Sequence, residues 1–509
     1  MTHYFIILVA FLLRAVSLAK QSLWRDEIDV IRYSDTPLAQ RLAELFVPEH
    51  NGPLYYLLIG GWRFFIGDSE FSLRFPSVVF GTLTVALGVS LSHRLGYSKR
   101  VSTLVAMLIA SSPYLIWYNQ EAKMYSLLTS LILGAFIAYY QALNYSPRPD
   151  SNIFSYYKYW AIFVLLTSLS FYLHILSPLM LPVYITIAVI HHNQLRRRWR
   201  IWLFSMILLT LPYLPLLIWQ FAVVYQAQDT GHSFYPLFTQ TILLFQTYSA
   251  GLLKPIVPIP IVLFGFLFLA GLTLSSANSE KKQKLSLLYW LIIPILGIYW
   301  ISLRTPIFEP RYVIYTVPPF YILVALGTEQ VRKHSKYIAM FCISLLLLFN
   351  LISVQQQQYH ILKADFRQTA IHIKQKNKEL AIPKTVIMMQ MPYLTQTLEY
   401  YYQPEQVTWL EGIWTNDGKS ESAVATELAD ITNCVSGMWL VVSEEKLWDE
   451  RGLTRAWFNQ HAILLDEVQY SGVQVYYYQF ENPTQFTLTT SPKPYKNYLP
   501  LVISPNNCN

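Results

Sequence analysis

Cysteine is scarce in this chain of 509 residues: Cys342 lies in an apolar run, and Cys434 and Cys508 stand near the end. Two tail cysteines make no disulfide framework, although they can pair if the tail lies outside the cytoplasm, and no Cys/His spacing suggests zinc. Charge is equally thin, at 13% of residues against the roughly 25% of soluble domains, while 53% are hydrophobic and 16% aromatic. This balance excludes an ordinary soluble globular enzyme and points to a membrane protein. The net charge of +8 comes with no basic groove and no RNA-binding motif, which argues against nucleic acid as a partner. The tail has neither a glycine-rich phosphate loop nor a nucleophile elbow, so no catalysis is assigned to it.

What the chain does have is apolar stretches near the ~20 residues needed to cross a bilayer, recurring to about residue 355 and then ceasing. The basic residues fall in short clusters between them: Arg94, Lys99 and Arg100; Arg196, Arg197, Arg198 and Arg200; Lys281, Lys282 and Lys284; Arg332, Lys333 and Lys336. Placing these clusters inside, as the positive-inside rule requires, predicts eleven spans near residues 4–20, 75–93, 101–118, 124–143, 158–175, 177–192, 201–222, 259–275, 285–303, 312–328 and 337–354. The first run lacks a basic leader and contains Arg14, and so reads as an uncleaved helix rather than a signal peptide. Residues 239–253 read as an interfacial or re-entrant helix. An odd count puts the N-terminus in the cytoplasm and the tail outside.

The expected architecture is mainly α: a polytopic helix bundle over residues 1–354 and an extracytoplasmic α/β domain over 355–509. In the tail, "KTVIMMQ" and "GMWLVVSE" read as buried strands, "TQTLEYYYQ" and "GLTRAWFNQH" as helices, and the segment around Ser471-Gly472 as a hairpin.

The polar chemistry gathers in the outer loops. Asp26 and Glu27 follow the first span directly, behind Trp24, whose indole suits an interface. The plain alternative is a solvated loop. Glu121 and Lys123 sit between two spans too close for a free loop, with Tyr125 just beyond. A charged pair there needs the surface or a water-filled cavity, and Lys123 is either snorkelling or placed for a phosphate. His174 in "FYLHIL" and His50 in "PEHNGPLYY", with Glu49 beside it, are either ordinary interfacial histidines or ligands for a metal or acceptor. Arg311 and Tyr312 open a late span, where Arg311 is either snorkelling or uses its fixed donor fork to hold an oxyanion.

Taken in order, the Asp26-Glu27 pair, His50 with "PLYY", "RFPSVVFG" at 74–81, "NQEAKMYSLL", the span ending in His174 and "PRYVIYTVPPF" at 310–320 resemble the GT-C membrane glycosyltransferases. The likeness is to the branch of protein O-mannosyltransferases and lipid A aminoarabinose transferases, glycosyltransferase family 39, over residues 1–330. The resemblance implies a polyprenyl-phosphate sugar donor, transfer on the non-cytoplasmic face, inversion at the anomeric carbon and, in some members, a divalent metal ion, for which Glu49 and His50 are the candidates here. It implies Asp26 as base, Glu27 orienting it or the acceptor, and Lys123, Tyr125, His174, Arg311, Tyr312 and His50 around the substrates. The acceptor is a protein, lipid or glycan. The chain departs from the family at His50-Asn51-Gly52-Pro53-Leu54, where His-Pro-Pro-Leu is frequent, and at Lys123, where arginine is usual.

The chemistry fits independently: displacing phosphate from a sugar passes through an oxocarbenium-like state that needs a carboxylate on one side and cations on the other. The rival classes are a polytopic transporter or lipid flippase, which should show internal repeats, and a non-catalytic assembly protein. Within enzymes, a polymerase or ligase using a diphosphate donor is the rival.

Overall fold

The computed structural model describes the chain except residues 44–51, 145–152, 212, 215–232, 254–257, 274–277, 405–406, 434 and 481–509. The described residues form two compact units: residues 1–20 with 29–360, and residues 21–28 with 361 onward. The expected helical bundle and small sheet domain are both present.

Before the sheet domain the helices in chain order begin with α1 (Thr2–Ala15), α2 (Arg25–Asp35, whose residues 25–28 belong to the second unit), α3 (Leu38–Ala43), α4 (Leu54–Ile66), α5 (Glu70–Arg94), α6 (Lys99–Ser111), α7 (Pro113–Asn119), α8 (Tyr125–Asn144), α9 (Ile153–Phe171), α10 (Met180–Ile190) and α11 (His192–Thr210). Five more follow among the described residues: Leu237–Ala250, Ile259–Leu272, Asn278–Ser302, Val317–His334 and Lys336–Tyr359. Among the described residues four helices are long and apolar enough to cross a bilayer: α5, α8, Asn278–Ser302 and Lys336–Tyr359. A fifth is α6 with α7 if that bent pair is one span.

Helices also occupy the other expected spans, but several are short. Here α1 stops at Ala15 instead of residue 20, because Val16 is extended and Ser17 takes a positive φ of 60°. The expected span 101–118 is broken by 56° between α6 and α7. Its cause is Pro113, which drives Ser112 out of the helical region to ψ 116°. Ser112 then caps α7, its hydroxyl accepting from Leu115 N at 3.2 Å. The late span opens with a 3-10 turn, Pro310–Thr316, before the helix Val317–His334. The helices Ile259–Leu272 and Val317–His334 meet backbone to backbone: a Cβ on Gly271 would strike Leu323 O and one on Gly327 would strike Leu267 O, the small-residue contact typical of lipid-embedded helices.

The second unit is a five-stranded sheet in the order β2-β1-β3-β5-β4, with β1 (Thr385–Met389), β2 (Val407–Glu411), β3 (Gly437–Val442), β4 (Ile463–Tyr470) and β5 (Val473–Gln479). Strand β1 runs parallel to β2 and β3, and β5 is antiparallel to β3 and β4. Alternate side chains divide between two cores. Ile387, Met389, Trp439 and Val441 pack under Ile373 and Leu398, while Met388, Leu440 and Tyr478 pack under Leu428 and Phe458. All five residues of β1 are buried, as a two-sided sheet requires. The β4–β5 hairpin turns at Ser471-Gly472, where Gly472 takes φ 65°.

Candidate active site

Asp26 and Glu27 lie in the first turn of α2, where carboxylates complement the helix N-terminus. Asp26 is half-buried. Glu27 is fully buried and pairs with Lys363 at 3.0 Å. Glu27 also accepts from its own cap residue, Trp24 N, at 3.4 Å, the reach-back half of a capping box. The Lys363 ammonium lies over the Trp24 ring, 5.6 Å from its centroid. Around this turn, Leu23 N donates to the Tyr401 hydroxyl at 2.7 Å, Arg367 N to Ser22 at 3.1 Å, and Arg25 lies over Tyr393. Residues 21–28 are therefore knitted into the sheet unit by side chains the sequence reading did not single out: Lys363, Arg367, Tyr393 and Tyr401.

In the helical unit the other candidates converge. Glu121 and Lys123 are buried, 2% and 6% exposed, in the short turn between α7 and α8. Tyr125 opens α8 and lies 6.1 Å from the His174 ring, which is 5.3 Å from that of Tyr312. Arg311 stacks over Tyr312 at 5.6 Å, and Lys123 stands two residues before Tyr125. His174 is 1% exposed and its Nδ1 accepts from Leu176 N at 3.2 Å. That leaves the ring proton on Nε2, so the ring offers one neutral donor. Tyr114 and Tyr118 extend the aromatic wall, with Tyr118 5.3 Å from Tyr125. Among 37 tyrosines no sequence signal marks these two.

The turn carrying Lys123 is held by a residue noted in the sequence only as an interruption. Arg14, 0% exposed, donates to Asn119 Oδ1 at 2.7 Å, Ile109 O at 3.0 Å and Ala110 O at 3.1 Å. These carbonyls end α6, where the α6–α7 break removes their helical partners. Asn119 in turn donates to Ser126 at 2.7 Å, and Gln120 donates to Arg14 O and Val16 O. A guanidinium this deep is tolerated because its donors meet carbonyls of the broken helix.

Glu49 and His50 lie outside the described residues, as do Cys434 and Cys508. Among the described residues no three of His, Cys, Asp or Glu gather as a metal set, and Glu27 is committed to Lys363. No step below is routed through a divalent ion.

A bundle of apolar helices with a polar turn between α7 and α8, followed in the chain by a small sheet domain, is a fold that this chain shares with solved structures. The solved structures similar to this chain include ArnT from Cupriavidus metallidurans, in the apo state and bound to undecaprenyl phosphate, at TM-scores of 0.60 and 0.58 and 11% identity, covering 93% of this chain and 97% of that one. An oligosaccharyltransferase of Archaeoglobus fulgidus, in complex with Zn and sulfate, matches at 0.52 and 13% identity over 92% of this chain and 72% of that one. No protein-family model and no curated protein sequence matches the chain. At such identities the likeness is one of fold.

Proposed function

We propose that this protein is a membrane glycosyltransferase that moves a sugar from a polyprenyl-phosphate donor to an acceptor on the non-cytoplasmic face, with inversion. The observation that carries this reading is the gathering of Lys123, Arg311 and the neutral His174 on a GT-C scaffold. Two cations and a neutral N–H suit a phosphate that gains negative charge as it leaves. The ArnT structure holding undecaprenyl phosphate supports the same class of donor here.

In the proposed reaction the Asp26 carboxylate takes the proton of the acceptor hydroxyl. The acceptor oxygen bonds to the anomeric carbon as the bond from that carbon to the phosphate oxygen breaks, and polyprenyl phosphate departs with the bonding pair. Lys123 and Arg311 neutralise the departing group, and the His174 Nε2–H donates to it. Glu27, held by Lys363, positions the turn that presents Asp26 rather than exchanging protons itself. The acceptor is a protein, a lipid or a glycan. The N-terminus is cytoplasmic and the tail external.

Mass spectrometry of lipid co-purifying with the protein, followed by incubation with synthetic polyprenyl-phosphate sugars, tests the proposal. Bound polyprenyl phosphate and its release from a sugar-bearing donor are expected. A protein that neither retains nor turns over any such lipid is not this enzyme.

A further inference from the structure

Independently of the transfer reaction, one face of α11 combines two features that no part of the site above uses. Arg196, Arg197 and Arg200 are exposed at its head, and Phe204, Leu208 and Leu211 are exposed further along, at 60%, 40% and 59%. The spacing 196, 200, 204, 208 is one helical turn per step, so charge and apolar surface form one continuous stripe. The opposite face, Ser205, Met206 and Leu209, is buried at 2%, 8% and 1% exposure.

Arg198 borders the same surface cavity but is engaged, donating to Leu143 O at 2.8 Å, which caps the end of α8 and fixes the head of α11 against it. The three outward arginines therefore stand on an anchored frame. With Tyr157 and Phe204 they line a surface cavity of about 570 Å³. Among the described residues no carboxylate pairs with Arg196, Arg197 or Arg200, and the sequence has no acidic residue between Asp150 and Asp229. Snorkelling arginines need only water. Three of them around one cavity, with no acid in 78 consecutive positions and an apolar stripe one turn away, match a ligand with an anionic head and a hydrocarbon chain.

We propose that this face of α11 is a binding site for an anionic phospholipid, its phosphate held by Arg196, Arg197 and Arg200 and its chain laid along Phe204, Leu208 and Leu211. The chemistry shared with free phosphate is oxyanion recognition by guanidinium forks. The apolar stripe assigns the occupant to the lipid.

Native mass spectrometry of the full chain in neutral detergent tests this, with dioleoyl phosphatidylglycerol, dioleoyl phosphatidylcholine and inorganic phosphate as probes. Phosphatidylglycerol should bind in preference to phosphatidylcholine. Arg196→Gln/Arg197→Gln/Arg200→Gln should weaken it by about tenfold or more, while the matching triple lysine variant stays within a few-fold and Lys99→Gln/Arg100→Gln changes nothing. Should the triple glutamine variant melt early, Arg197→Gln alone decides by the same comparison. Equal binding of both lipids, undiminished binding by the glutamine variants, or inorganic phosphate binding as tightly as the lipid would each overturn the proposal.

Discussion

Replacing Lys363 with methionine isolates what holds the first turn of α2. The ammonium lies 3.0 Å from Glu27, with side-chain exposures of 7% and 0%. At an effective dielectric of ~20 the attraction across that distance is about 5 kcal/mol before desolvation. Removing one partner of such a buried pair costs roughly 3–5 kcal/mol, since the carboxylate stays buried without its cation. Lys363→Met should therefore lower the unfolding temperature of the detergent-solubilised protein by roughly 10 °C, read by tryptophan fluorescence because Trp24 lies over the lysine. Glu27→Gln/Lys363→Met should recover most of the loss, because a neutral pair needs no cation. The double-mutant cycle should give a coupling of about 2 kcal/mol or more. A single-variant cost below about 1 kcal/mol, or a coupling near zero, would refute the assignment of Glu27 as a structural carboxylate.

Three further outcomes follow from the same geometry. Arg311→Lys keeps the charge but loses the donor fork, so turnover or donor affinity should fall more than for a neutral surface change; unaltered donor binding and turnover in both Arg311→Ala and Lys123→Ala would remove the two cations from the site. In the tail, burial raises the Asp449 carboxyl, but hydrogen bonds from Thr415, Thr454 and Leu453 outweigh it and hold it below the ordinary carboxylate value of 3.8. Its contribution to stability is present above that value and lost as pH falls through the lowered one, so acid melts should steepen below about pH 4, and Asp449→Asn should flatten that limb. For topology, a cysteine at Ser420 should react with an impermeant maleimide in intact spheroplasts, whereas one at Ser279 should not; the reverse pattern inverts the proposed orientation.

The bundle was legible because lipid-facing helices need long apolar runs, and the runs at 75–93, 124–143, 285–303 and 337–354 match helices of 20 to 25 residues. The break at Ser112 was missed although Pro113 announces it: apolar periodicity continues across the proline and masks the bend. In the tail the hairpin at Ser471-Gly472 and strands β1 and β3 were read from buried β-branched and apolar runs. Strand β2, "VTWLE", and the helix Glu421–Thr432 were not, since β2 is an edge strand of mixed polarity. The candidate residues Lys123, Tyr125, His174, Arg311 and Tyr312 could be named because ionisable groups near span ends stand out against 13% charge. Their partners could not. Arg14 looked like a flaw in a span, and Lys363 lies 336 residues from Glu27, a pairing that only the folded chain brings about.

The most direct test is sugar transfer by Asp26→Asn. Asparagine keeps the size and polarity of the side chain and removes its basicity, so the variant should insert and fold normally and bind a synthetic polyprenyl-phosphate donor like the unaltered protein. It should transfer radiolabelled sugar roughly 100-fold or more slowly, the scale of a lost general base. Transfer at the unaltered rate with Asp26→Asn would contradict the proposed chemistry and leave Asp26 a carboxylate of the first turn of α2.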